Sequence, residues 1–105
     1  VGRDDDVITS AGYRIGPGPI EDCLTAHPSV QLAAVVGKPD EARTEIVKAY
    51  IVLREGYESS QELQDELKVW VKDRLSKHEY PRDVEFVLDL PKTNTGKIIR
   101  RLLRS

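Results

Sequence analysis

Val30-Gln31-Leu32-Ala33-Ala34-Val35-Val36 and Val47-Lys48-Ala49-Tyr50-Ile51-Val52-Leu53 decide the fold of this chain. Both runs are rich in β-branched residues, which suit a pleated surface, and both are apolar enough to predict burial. Polar Lys38-Pro39-Asp40-Glu41 lies between them, so they read as two strands of one sheet. Downstream, Ser59 or Ser60 can cap a helix, with Glu62 three residues after Ser59 as a capping-box partner. Leu63, Leu67, Trp70, Val71 and Leu75 then form a stripe at helical spacing, in which Trp70 reads as core. After His78-Glu79-Tyr80-Pro81-Arg82, Val84 to Leu88 predicts a third strand, followed by a loop and a short helix from Ile98. Upstream, Val7 to Ser10 and Tyr13 to Ile15 flank Ala11-Gly12, which reads as a tight hairpin. The Gly-Pro-Gly-Pro run at 16 to 19 stops that strand, and Pro19 can open a helix with Ile20, Cys23 and Leu24 on its inner face, ending at His27-Pro28. The sum is a small α+β domain with an N-terminal β-hairpin and a three-stranded sheet packed with helices.

Composition bounds what such a domain does. At 105 residues the chain is one domain, able to bury roughly 60–68% of its unfolded surface without a covalent staple. It has no methionine and opens at Val1-Gly2-Arg3, so it reads as a piece of a longer protein. A single cysteine, Cys23, excludes an intrachain disulfide. No apolar run approaches the ~20 residues of a transmembrane helix, and a cytoplasmic location is the expectation. The formal net charge of -2 argues against a general nucleic-acid binder. It also hides an asymmetry: Asp4-Asp5-Asp6 opens the chain, and Lys92, Lys97, Arg100, Arg101 and Arg104 close it. His27 and His78 have no cysteine or histidine neighbours at metal-ligand spacing, so both read as structural and no metal site is predicted within the chain.

The chemistry concentrates in Leu90-Pro91-Lys92-Thr93-Asn94-Thr95-Gly96-Lys97-Ile98, which sets two lysines and two hydroxyls around a glycine turn. Pro91 ends the apolar run before it, and Gly96 permits a backbone that a Cβ would hinder. Lys97 is thereby expected on an exposed loop, as a flexible point charge suited to anionic oxygen. At ~4 Å from a phosphate oxygen and an effective dielectric of ~20, an ammonium gains about 4 kcal/mol per unit charge.

Three motifs in order carry a family resemblance: Gly2-Arg3-Asp4-Asp5-Asp6, Gly12-Tyr13-Arg14-Ile15-Gly16-Pro17, and Pro91-Lys92-Thr93-Asn94-Thr95-Gly96-Lys97-Ile98 with Arg100. Together they resemble the C-terminal lid domain of adenylate-forming acyl-CoA synthetases, across the whole chain. Gly-Tyr-Arg-Ile-Gly-Pro, with Glu79-Tyr80-Pro81-Arg82 ahead of the last strand, looks most like the acetyl- and medium-chain branch. Peptide-synthetase adenylation domains and luciferases are similar and rank second. The chain departs from the pattern at Ala11, where serine is frequent, and at Pro19, where glutamate is frequent.

The resemblance implies a two-step reaction. A carboxylate attacks the α-phosphate of MgATP to give acyl-adenylate and pyrophosphate, and the CoA thiol then displaces AMP. A large N-terminal domain would hold most of both sites and be this domain's partner. Mg²⁺ would be carried by ATP and bound mainly outside these residues. The lid would rotate between steps about a hinge acid that matches Asp5, with Asp6 the runner-up. Lys97 would be the catalytic lysine of the first step, with Thr95 and Gly96 beside it at the nucleotide. Gly12, Tyr13 and Arg14 would serve the second step. The hairpin would line the tunnel for the pantetheine arm, with Gly12 leaving it open and Arg14 meeting a phosphate of either AMP or CoA. Alone, the fragment is expected to be inactive.

Ile98, Ile99, Leu102 and Leu103 form an apolar face opposite Arg100, Arg101 and Arg104. That segment suits docking on the partner domain, CoA phosphates or a membrane surface. A reading of another class is a stand-alone phosphate- or RNA-binding module, but only Phe86 and Tyr80 lie near the basic residues as stacking partners.

Overall fold

A computed structural model describes residues 7–104. The elements run β1 (Ile8–Ser10), β2 (Tyr13–Ile15), α1 (Pro17–Thr25), β3 (Val30–Asp40), β4 (Thr44–Leu53), α2 (Gln61–Arg74), β5 (Asp83–Phe86) and α3 (Arg100–Arg104). The architecture is α+β, and the hairpin and the three strands join in a single five-stranded sheet. β3 and β4 form its spine, an antiparallel ladder from Val30↔Leu53 to Asp40↔Thr44. The other edge of β4 is shared: β1 meets it at Ser10↔Thr44, and β5 runs parallel to it from Lys48↔Asp83 to Ile51↔Phe86.

The apolar runs of β3 and β4 are buried because both faces of this spine are covered. On one face Ala33, Val35, Val47, Ala49 and Ile51 pack with Ile8 and Ile15 of the hairpin, Ile20 and Leu24 of α1, Leu67 and Val71 of α2, and Val84. On the other face Ala34, Val36, Tyr50 and Val52 pack against Leu90, with Ile98 and Leu103 beside them. The period-2 alternation of a strand sends successive residues into two different cores, which is why the sequence shows no polar alternation.

Several boundaries differ from the sequence reading, each for a local reason. α1 begins at Pro17, because both prolines fall in a first turn where no intrahelical N–H is needed. β3 continues through Lys38-Pro39-Asp40, since β3 is an edge strand and Pro39 lacks a donor only where none is required. Ser60, not Ser59, caps α2: its Oγ accepts from Leu63 N–H at 3.0 Å, which moves Glu62 into the first turn and leaves no capping box. Leu75 follows the helix and is 38% exposed, so it leaves the stripe. β5 stops at Phe86, and Leu88 is fully in solvent. α3 begins at Arg100, because Ile98 pairs with Lys92 across the lysine loop instead of entering a helix.

Trp70 packs against the helical-side core and donates its Nε1–H to Cys23 O at 2.8 Å, fastening α2 to α1. Cys23 is half-buried, and burial pushes its thiol above the ordinary range. His27 makes a second fastening. Its Nδ1 accepts from Ser29 N–H at 3.1 Å, so Nε2 carries the proton toward Glu66 of α2. Ser29 Oγ also lies 2.8 Å from Nδ1, but Ser29 is wholly buried, so this serine–histidine–glutamate line is a staple that no substrate reaches.

Candidate functional site

The lysine loop is a turn closed by its own backbone and hydroxyls. Thr93 N–H donates to Lys97 O at 2.8 Å, Gly96 N–H to Thr93 O at 3.0 Å, and Lys97 N–H to Thr93 Oγ1 at 3.2 Å. Thr93 and Thr95 join hydroxyls at 2.9 Å, so Thr95, expected beside the nucleotide, bonds its neighbour in the turn. Gly96 has a φ of +85°, the left-handed region in which a Cβ is strained.

The base of the turn is pinned at both ends. Leu90 is 4% exposed and sits in the second core, and Ile99 N–H donates to Pro91 O at 2.8 Å. Lys92 is drawn back to Asp89 at 3.3 Å. The Asp89 carboxyl also accepts Leu90 N–H, and these two contacts, the backbone one first, hold it below the usual carboxylate range. Lys97 is exposed, and among the described residues its ammonium has no hydrogen bond or ion pair. Of the two lysines, one is tied down and the other is presented.

The hairpin is built differently. Ala11 and Gly12 have φ of 51° and 85°, the positive pair that a two-residue turn matching strand twist requires. A Cβ at Gly12 would meet nothing within 4 Å among the described residues, which leave that position open. The hairpin joins the sheet through Ser10↔Thr44, Ala11 N–H to Arg43 O at 2.9 Å, and Thr9 N–H to Glu45 Oε1 at 2.9 Å. Glu45 reaches that position across Gly37, where a Cβ would come within 2.7 Å of its carboxylate. Thr44, at the joint, has a φ of 74°, which is strained for a β-branched residue.

Beside the hairpin lies an open cavity of about 450 Å³ lined by Ala11, Tyr13, Arg43, Lys72, Lys77, His78, Tyr80 and Arg82. Four cationic side chains from the β3–β4 turn, α2 and the α2–β5 connection line it together, and among the described residues no carboxylate does. Tyr13 stacks on His78 at 3.8 Å between ring centroids and forms part of its wall. His78, read from sequence as structural, lines this cavity through that stack. Sequence reasoning also missed Arg43, Lys72, Lys77 and Arg82, which lie far apart in the chain among ordinary surface charges. Tyr80-Pro81-Arg82, noted only as a branch marker, was the available signal.

The lining includes neither Arg14 nor any lysine-loop residue. Arg14 is exposed, and strand alternation places it on the hairpin face opposite Tyr13 and the buried Ile15. Gly12, Tyr13 and the cationic cavity are thus brought together, while Arg14 is on another face. Lys97, Thr95 and Gly96 form a separate site against the second core. Asp5, the expected hinge, and Asp6 lie outside the described residues. The basic face expected at the C-terminus is reduced: Arg100 is bound to Glu21, and its charge is engaged within the domain.

The model of the AMP-binding enzyme C-terminal domain matches residues 19–97. Acetyl-coenzyme A synthetase of Bacillus subtilis (strain 168) is 50% identical over 104 residues, which cover 99% of this chain and 18% of that protein. Acyl-coenzyme A synthetase ACSM4, mitochondrial, of Rattus norvegicus is 54% identical over 106 residues, covering 99% of this chain and 18% of that protein. Among solved structures, an acyl-CoA synthetase of Brucella canis superposes with a TM-score of 0.94 at 59% identity, over 99% of this chain and 19% of that one. The chain thus spans about a fifth of the length of the proteins it matches. With the family model covering most of its length and these likenesses covering nearly all of it, the chain belongs to the family of AMP-binding enzyme C-terminal domains.

Proposed function

We propose that this domain is the lid of an AMP-forming acyl-CoA ligase, and that its two sites serve the two half-reactions in turn. The observation that carries the reading is the ammonium of Lys97, exposed and, among the described residues, unpartnered on a loop whose base is pinned to the core. In adenylation a carboxylate oxygen of the acid attacks the α-phosphorus of ATP, the bond to the β-phosphate oxygen breaks, and pyrophosphate leaves. Two anions must approach, and the Lys97 cation between them offsets the charge that builds on the phosphate oxygens. Gly96 keeps the turn narrow beside the nucleotide. Thr93 and Thr95 act chiefly by closing the turn.

In the second step the CoA sulfur attacks the acyl carbon, the bond to the AMP phosphate oxygen breaks, and the thiol proton passes to solvent. The hairpin serves this step. Gly12 lets the pantetheine arm pass, and the cationic cavity beside Tyr13 suits the phosphates of CoA. Arg14, on the other face of the hairpin, is then assigned to the phosphate of AMP. Among the described residues no group of three or more His, Cys, Asp or Glu side chains is arranged to hold a metal ion. Magnesium in this reading arrives on ATP, and no step of this domain runs through it. Rotation of the lid about Asp5, association with a preceding nucleotide-binding domain, and a cytoplasmic location belong to the same proposal.

The test uses the full-length parent protein carrying Lys97→Ala. ATP–pyrophosphate exchange reports the first step, and thioester formation from synthetic acyl-adenylate and CoA reports the second. Lost exchange with preserved thioester formation is the expected result; unchanged exchange makes Lys97 a surface residue and removes the reading.

A further inference from the structure

Glu21 is an acidic residue of α1 whose carboxylate faces inward, with only 12% of its side chain exposed. Its two oxygens reach two distant parts of the chain. Oε2 accepts the N–H of Val35 at 2.8 Å. Among the described residues β3 is the last strand on its side of the sheet, so this N–H has no neighbouring strand there to meet, and Glu21 takes the place of one. The same carboxylate grips Arg100 as a fork: Arg100 Nε donates to Oε2 at 2.9 Å and Nη2 donates to Oε1. Arg100 lies three residues beyond Lys97.

The ion pair is thus a polar link between the exit of the lysine loop and the rigid spine of the sheet. A bidentate pair fixes direction as well as distance, unlike a lone ammonium contact. Farther along, Tyr50 Oη donates to Leu103 O at 3.3 Å, and Lys38 donates to the same carbonyl, so α3 is clamped again at its other end. Ile98 adds an apolar contact with the second core, and its backbone pairing is with Lys92 inside the loop itself.

We propose that Glu21 is a positioning residue for Lys97, acting through Arg100: by joining the free edge of β3 to the Arg100 guanidinium, it sets where the loop presents its ammonium. The inference rests on the adenylation role assigned to Lys97. Glu21 touches no reacting group, and its effect is confined to the step that uses the lysine loop. Misplacing a catalytic group by about 1 Å costs on the order of 10²-fold in rate.

The experiment measures both half-reactions in the full-length parent for Glu21→Gln, Lys97→Ala and the double variant. Glu21→Gln is expected to lower the exchange kcat by about 10- to 100-fold. KM for ATP and the rate of thioester formation are expected to stay within about twofold, because ground-state binding and the other site are untouched. In the Lys97→Ala background the same substitution is expected to cost nothing further, since the group it positions is gone; a structural role would lower both backgrounds alike. Arg100→Lys, which keeps the charge and loses the fork, is expected to reproduce the loss and serves if Glu21→Gln does not fold. Equal loss in both half-reactions, or an unchanged exchange kcat, overturns the positioning role while Lys97→Ala still lowers exchange by about 10²–10³-fold. Exchange that survives Lys97→Ala overturns the underlying reading instead.

Discussion

The lysine loop and the hairpin are both turns that carry a glycine at positive φ, yet they present chemistry in opposite ways. The loop offers one point charge on a base held by Leu90, Ile98 and the Glu21–Arg100 pair. The hairpin offers an open backbone position and borrows its charge from three other parts of the chain. One is a local device and the other a tertiary one. Their separation has a functional corollary: they share no lining residue, so damage to one is expected to spare the other.

The strongest way to break this contrast is at the single charge. Lys97→Ala is expected to reduce pyrophosphate exchange by about 10²–10³-fold, the usual loss for one preorganised electrostatic partner. Thioester formation from preformed adenylate, measured alongside it, should be nearly unchanged. Gly12 probes the other side. Among the described residues nothing meets a Cβ there, so Gly12→Leu should cost only about 1 kcal/mol of stability from its positive φ, read as a small fall in Tm. Thioester formation should nevertheless fall by about 10²-fold through obstruction of an incoming chain. Gly12→Asn, which tolerates the left-handed region, should show the same block with less strain. Retained thioester formation in both variants would leave Gly12 as a turn residue only.

Distributed charge should fail gradually. Lys72→Ala or Arg43→Ala is expected to raise the KM for CoA by about tenfold, near the 1.4 kcal/mol of one charge-assisted contact. The KM should also become less sensitive to salt, while the KM for ATP holds. A rise in the ATP KM alone would assign the cavity to the wrong substrate.

Two smaller effects concern the joints. Thr44 is strained where the hairpin meets β4, so Thr44→Gly should stabilise the domain by about 1 kcal/mol in denaturant unfolding, strain relief exceeding the added chain entropy. Asp89 titrates below its ordinary 3.8 in the folded state, so its contribution is present above that value and lost as pH falls through the lower folded one. Asp89→Asn should flatten that acid limb of stability slightly and leave activity near neutrality unaltered.

Much of this was legible in the chain because it depends on neighbours in sequence. The two apolar runs announced buried strands, Ala11-Gly12 a two-residue turn, and Pro91 to Ile98 an exposed lysine, since glycine and proline constrain the backbone wherever they stand. Less legible were features in which two local signals competed. Ser59 and Ser60 each satisfied a capping pattern, and in the structure Ser60 is the residue that caps α2. Ile98 looked helical until its pairing with Lys92 claimed it.

By itself, then, the sequence determined the α+β composition, the turns and the identity of the presented lysine, all of which follow from dihedral preference and short-range patterning. Only the tertiary structure decided that Arg43, Lys72, Lys77 and Arg82 share one cavity with Tyr13 and His78. It alone set Arg14 on another face of the hairpin. It alone, too, tied Glu21 to Arg100 across 79 positions of the chain. The physical reason is that charge is felt through space and not along the chain: a surface lysine or arginine has the same local sequence signature whether it stands alone or among others, and folding determines which of them converge.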